Sequence, residues 1–186
     1  PQRLSPLRDK MRLISKIHPH IKGVNVRRFN SEFAAIAAQS FIDEVLIRQL
    51  NVKYLLIGDD FCFGSKRQGN FALLKQQQAF VTENTSSIMV ENTRASSTVI
   101  REALSRGDLD LAERLLGHPY VLSGHVKHGA KLGRTLGCPT ANVHLPPLLF
   151  PLSGVYVVEV MGSFGKRRGV ASFGLNPTVT DSRNQK

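Results

Sequence analysis

Three short stretches of the chain combine residue types suited to handling phosphates. GAKLGRTLGCPTAN, Gly129 to Asn142, carries glycines at 129, 133 and 137, two cations, and Thr140 and Asn142 at i, i+2 spacing. Glycines let a backbone approach a ligand closely. If the segment is extended, Thr140 and Asn142 point to the same side. Both offer oxygen to a hard cation such as Mg²⁺, which binds phosphates as well as protein oxygens. The bland alternative is a β-turn followed by a short edge strand. The stretch is not a Walker loop, since no Gly-x-x-x-x-Gly-Lys-Ser/Thr run occurs in the chain.

RASSTVIREAL places Ser97 and Thr98 at a helix start, where free N–H groups and the helix dipole attract anions. Arg101 follows Ser97 by four residues, on the same helical face, and Arg94 stands just upstream. Two arginines around a hydroxyl-rich helix start could clamp a phosphate. An ordinary serine N-cap beside solvated arginines would read the same way. GDDFCFGSKRQG supplies Asp59, Asp60 and Phe61 directly after an apolar run. In open α/β sheets ligands sit beyond the carboxyl ends of the strands, where carboxylates can bond a polar ligand and an aromatic can stack on a flat ring. A polar turn with a packed phenylalanine is the competing reading.

The elements that must hold these stretches follow from periodicity. Ser5-Pro6 opens a helix as cap and first-turn proline, continued by Leu7, Met11, Ile14 and Ile17 at helical spacing. A short strand is expected at Gly23 to Arg27. Asn30 or Ser31 caps a long helix running through Leu50, with Phe33, Ala37, Phe41, Val45 and Leu46 on one face. VKYLLI, Val52 to Ile57, reads as a buried parallel strand. A helix over Phe71 to Gln78 and a strand beginning at Phe80 to Val81 follow. Ser96 to Thr98 opens a helix that Gly107 ends, and Asp108 caps another ending at Gly117. Strands alternating with helices predict an α/β domain with a parallel sheet.

After His118-Pro119 the pattern changes. Tyr120, Leu122, Gly124 and Val126 alternate, Val155 to Val160 is a β-rich run, Gly162 to Gly165 a turn, and Gly169 to Phe173 a returning strand. No helix is expected after Gly117. Short strands with glycine and proline punctuation predict a small β-barrel or sandwich. The expected domains are residues 1–118 and 119–186.

Composition narrows the partners. Lys and Arg outnumber Asp and Glu 25 to 14, a net charge of +11, which favours anionic ligands. The cations are scattered; Lys166-Arg167-Arg168 is shorter than a nucleic-acid patch requires, so nucleic acid is not the expected partner. No run of about 18 apolar residues occurs, so no membrane span is expected, and PQRLSPLRDK has no apolar signal segment. Cys62 and Cys138 lie far apart in no metal-ligand spacing, and are read as thiols in a reducing compartment. His18 and His20 flank a proline, which suits a turn better than a metal site.

Taken together and in this order, GDDFCFG with its KRQG tail, SSTVIR and GRTLGCPTAN resemble bacterial bifunctional FAD synthetase. FAAIAAQSFIDEVL and the LLGHPYVLSG junction extend the resemblance over essentially the whole chain. It implies a Rossmann-like nucleotidyltransferase domain followed by a small antiparallel β-barrel of the riboflavin kinase kind. The implied reactions are ATP-dependent phosphorylation of riboflavin to FMN, and adenylylation of FMN to FAD with release of pyrophosphate, in the cytoplasm. Carried over by motif, Arg94, Ser97, Thr98 and Arg101 would hold ATP phosphates in the first domain, and Asp59, Asp60 and Phe61 would lie near flavin or nucleotide. Gly133, Thr140 and Asn142 would form the kinase ATP loop, with Thr140 and Asn142 serving Mg²⁺. Cys138 stands where the family often has a larger apolar residue.

The family's histidine-containing nucleotide motif and the kinase's general-base glutamate find no match here. The chain is therefore expected to be part of a longer polypeptide, and these residues alone to be inactive. Rival readings are a single-activity nucleotidyltransferase with an unrelated β-domain, a basic nucleic-acid-binding module, and an incomplete or degenerate flavin-binding protein without turnover.

Overall fold

The structure, a computed structural model, describes residues 3–128, 137, 140–145 and 150–174. Backbone contacts divide the chain into two units, residues 21–94 and residues 1–20 together with the chain from 95 onward.

Helix α1 spans Leu7–Ile17. Pro6 occupies the N-cap position itself, without a side-chain cap, so Ser5 does not cap it as expected. In the unit of residues 21–94, the strand expected at 23–27 is absent: the segment has no regular structure, with Ile21, Val24 and Val26 about half exposed and no ladder partner. The long helix expected from 30 to 50 is three pieces. Asn30 caps α2 (Ser31–Ala34), accepting from the Phe33 N–H at 2.9 Å. The chain turns extended at Ala37, then forms α3 (Ala38–Ser40) and a π-wound helix, Phe41–Gln49.

The break has a tertiary cause. The Ile36 carbonyl accepts from the Ser65 N–H at 2.7 Å, a partner 29 residues onward, instead of from its own helix. The interruption rotates the apolar face, leaving Ala37 exposed and Ala38 buried.

Strands β1 (Tyr54–Gly58) and β2 (Val81–Thr85) pair in parallel, Tyr54 opposite Val81 through Gly58 opposite Thr85. Helix α4 (Phe71–Lys75), shorter than expected, lies on the crossover between them and is capped by Asn70. Ala38, Ile42, Leu46, Ile57, Phe63, Leu74 and Phe80 form the core, with Ile42 and Leu74 fully buried. Each large apolar side chain so buried stabilises the unit by about 1.5–3 kcal/mol. β1 is parallel as expected but buried on one face only, since Tyr54 and Leu56 lie on the open face of a two-stranded sheet. Strands β3 (Met89–Val90) and β4 (Thr93–Arg94) form a tight hairpin through Glu91 and Asn92, both at positive φ. That is the two-residue turn geometry whose twist matches its strands, although Glu-Asn lacks the usual glycine signal.

In the other unit, Ser96 caps α5 (Ser97–Ser105) and Asp108 caps α6 (Leu109–Leu116), whose left-handed terminator is Gly117. The two helices pack through Ile100, Ala103, Leu104, Ala112 and Leu115. Strands β5 (His125–Lys127) and β6 (Asn142–His144) pair antiparallel, as do β7 (Gly154–Gly162) and β8 (Gly165–Phe173). No helix follows Leu116 among the described residues. The described strands there form two separate two-stranded sheets, not a closed barrel. The segment before β5 is tied to α1: Ser123 Oγ donates to Asp9 and accepts from Arg8 Nη2 at 2.6 Å. Tyr120 donates to the Leu4 carbonyl at 2.8 Å, and burial pushes its phenol up to about 12.

Candidate functional site

The GDDFCFGSKRQG loop is a closed structure built on one buried ring. Phe63 is 7% exposed and sits in the core, and its backbone exchanges hydrogen bonds with Gly69 at 3.0 and 2.8 Å. A Cβ at Gly69 would lie 2.5 Å from the Phe63 ring. Gly64, at φ +72°, passes so close to α3 that a Cβ would meet the Ala38 backbone at 2.6 Å. The motif's two glycines and second phenylalanine thus fix the loop's path, while Asp59, Asp60 and Phe61 stay outside the core. Phe61 stacks on Phe63 with ring centres 5.7 Å apart and is 39% exposed.

The β3–β4 hairpin delivers Arg94 to these carboxylates. Arg94 Nη2 donates to Asp59 Oδ1 at 3.1 Å and to Asp60 Oδ2 at 3.0 Å. Ser87, on the connection between β2 and β3, donates to Asp59 Oδ2 at 2.7 Å. The Ser87 hydroxyl is the largest influence and holds the Asp59 carboxyl below the usual carboxylate range; burial opposes it, and the Arg94 guanidinium adds a lesser lowering. An exposed guanidinium between two carboxylates gains little stability from the pairing. Its chemical meaning is geometric: a cation is held at the carboxyl end of β1, and an anionic ligand there competes with Asp59 and Asp60 for it.

The structure therefore brings together Asp59, Asp60 and Arg94 of the predicted residues, with Phe61 on the same loop. Ser97, Thr98 and Arg101 belong to α5 in the other unit. Ser96, not Ser97, is the N-cap, accepting from the Val99 N–H at 3.3 Å. This leaves Ser97 and Thr98 exposed in the first turn, with Arg101 half-buried on the next. Asn142 begins β6, opposite Lys127 on β5, and Thr140 precedes the strand; both are exposed. Gly133 and Cys138 lie outside the described residues, and Cys62 is half-buried with a free thiol. Among the described residues no group of three His, Cys, Asp or Glu is placed to hold a metal. A shallow cleft of about 480 Å³ lined by Arg27, Arg28, Asn30, Glu32, Phe33 and Ile36 holds none of the predicted residues. Sequence reasoning missed Ser87, which no spacing connects to Asp59.

Comparison with known proteins decides the family. The FAD synthetase family model matches residues 1–99, more than half of the chain. The chain belongs to the FAD synthetase family. The riboflavin kinase model matches residues 116–186 of this FAD synthetase family member. The chain is 48% identical over 183 residues to a bifunctional riboflavin kinase/FMN adenylyltransferase of Haemophilus influenzae, covering 96% of this chain and 59% of that protein. It is 45% identical over 189 residues to the protein of the same name in Escherichia coli (strain K12), covering 100% of this chain and 60% of the relative. The chain thus spans about 60% of the length of the curated relatives it matches. A crystal structure from Streptococcus pneumoniae, named as a macrolide-efflux protein, superposes with a TM-score of 0.78 at 33% identity, over 95% of this chain and 57% of that one. No helix among the described residues is long and apolar enough to cross a membrane.

Proposed function

We propose that this chain carries parts of two ATP-using sites in FAD biosynthesis, an FMN adenylyltransferase in residues 1–118 and a riboflavin kinase in residues 119–186. The observation that carries the reading is the tandem match: FAD synthetase over 1–99, then riboflavin kinase over 116–186, in one chain that aligns along its length with bifunctional relatives. The first region is read as Rossmann-like and the second as a small antiparallel barrel. The parallel β1–β2 crossover and the β5–β6 and β7–β8 pairs support those architectures without completing them.

In the first site an FMN phosphate oxygen attacks the α-phosphorus of ATP. A new P–O bond forms, the bond from the α-phosphorus to the bridging oxygen breaks, and pyrophosphate leaves. The protein's part is to align two polyanions and offset their repulsion. Ser97, Thr98 and Arg101 at the start of α5 are assigned to ATP phosphates, together with Arg94. Support comes from the exposed hydroxyls of a capped helix start, where N–H groups and dipole favour anions. Asp59, Asp60 and Phe61 are assigned to flavin or nucleotide, with Phe61 presenting a partly open aromatic face.

In the second site the riboflavin 5′-hydroxyl takes the γ-phosphoryl group of ATP. Gly133, Thr140 and Asn142 are assigned to the ATP loop. Thr140 and Asn142 are exposed oxygen donors, which fits Mg²⁺: that ion keeps several waters and shares itself between phosphates and few protein groups. Bound there, Mg²⁺ would supply neutralisation of the transferring phosphoryl charge. Both reactions consume ATP, and the proposed compartment is the cytoplasm.

The test is to incubate the full-length protein with riboflavin, ATP and Mg²⁺ and to separate the products. FMN followed by FAD is expected. Absence of both would sink the enzymatic reading.

A further inference from the structure

The connection between β2 and β3 brings to the Asp59 site a residue remote in sequence. Ser87, half-buried, is 28 residues from Asp59, yet its hydroxyl donates to Asp59 Oδ2 at 2.7 Å. The other oxygen, Oδ1, accepts from Arg94 Nη2 at 3.1 Å, and the same nitrogen reaches Asp60 Oδ2 at 3.0 Å. A carboxylate held at both oxygens cannot turn about its Cβ–Cγ bond without giving up a partner. The two partners differ in kind. An anionic substrate competes for Arg94, because phosphate and carboxylate are both acceptors for a guanidinium. The Ser87 hydroxyl has a single proton, directed at Asp59 Oδ2, whereas Arg94 meets the carboxylates through Nη2 and its guanidinium carries further N–H donors for a phosphate.

We propose that Ser87 is a positioning residue of the adenylyltransferase site: it fixes the Asp59 carboxylate, which in turn aims Arg94 at the anionic substrate. The proposal rests on the reading of this site given above. The charged groups facing Asp59 are Arg94 on β4 and Asp60 on its own loop, and the Ser87 hydroxyl is the largest influence keeping Asp59 ionised at low pH.

The experiment measures FAD formation from supplied FMN, ATP and Mg²⁺ by the full-length protein and its variants. Ser87→Ala is expected to raise the KM for ATP or FMN about three- to tenfold, as befits one solvent-exposed hydrogen bond that acts through a second residue, with kcat within about twofold. The acidic limb of kcat/KM is expected to move to higher pH, because Asp59 then protonates more readily. Ser87→Thr keeps the hydroxyl and is expected to restore both values. Riboflavin phosphorylation, at the other site, should not change. Asp59→Asn covers the case in which Ser87→Ala does not fold: it should reproduce the KM increase and remove the acidic limb. Wild-type KM and an unmoved limb in Ser87→Ala, or in Asp59→Asn, would overturn the proposal. Wild-type protein that makes no FAD at all would instead sink the site reading beneath it.

Discussion

The loop after β1 and the β7–β8 hairpin are both closed by backbone hydrogen bonds, yet they owe their shapes to different forces. In the loop, Gly64 abuts Ala38, Gly69 lies against the Phe63 ring, and that ring, 7% exposed, belongs to the core with Ile42 and Leu74, so sterics leave the chain one path. In the hairpin, nine residues pair with nine in unbroken register, but one face carries Val155, Val157 and Val170 at 69%, 81% and 72% exposure. The opposite face, with Tyr156, Val158, Ala171 and Phe173, is only half-buried, so the ladder has no closed core, and an isolated two-stranded hairpin is marginal in water. A site carried on the loop is therefore positioned by packing within its own unit. Thr140 and Asn142 sit beside or within sheets whose described parts have little core of their own.

This contrast can be broken by substitution. Phe63→Ala removes the ring on which the loop is built and is expected to cost about 3–5 kcal/mol, read by urea unfolding; a loss below about 1 kcal/mol would mean the ring is not the anchor. Gly64→Ala puts a side chain at φ +72° and against the Ala38 backbone, and should cost on the order of 1–3 kcal/mol. An unchanged midpoint would show that the loop path is soft. Val157→Thr, on the open hairpin face, should stay within about 0.5 kcal/mol. A cost close to that of Phe63→Ala would show this face covered in the whole protein and erase the contrast.

Local chemistry made parts of the fold legible. Asp108 and Gly117 bracket α6 as a side-chain cap and a left-handed terminator, both decided within a few residues. The parallel pairing of β1 was readable from VKYLLI, but its one-sided burial was not, because that depends on how many strands flank it. The interruption after α2 was illegible for a clearer reason. Phe33, Ala37, Phe41 and Val45 recur every four residues as one helix would require, and the Ser65 amide that captures the Ile36 carbonyl lies far along the chain. The candidate sites divide likewise. Asp59 and Asp60 follow an apolar strand and announced themselves; that Arg94 reaches them depends on a hairpin turn at Glu91-Asn92 with no glycine to signal it. Ser87 gave no signal at all, being a serine in a polar connection whose only distinction is where β2 ends.

The central claim is that one chain holds two separate nucleotide sites, and Thr140→Ala in the full-length protein tests it most directly. Riboflavin phosphorylation should fall by about a hundredfold or more, as when a group stabilising transferring charge is removed. FAD formation from supplied FMN should persist at the wild-type rate. Equal loss of both activities would contradict the two-site account.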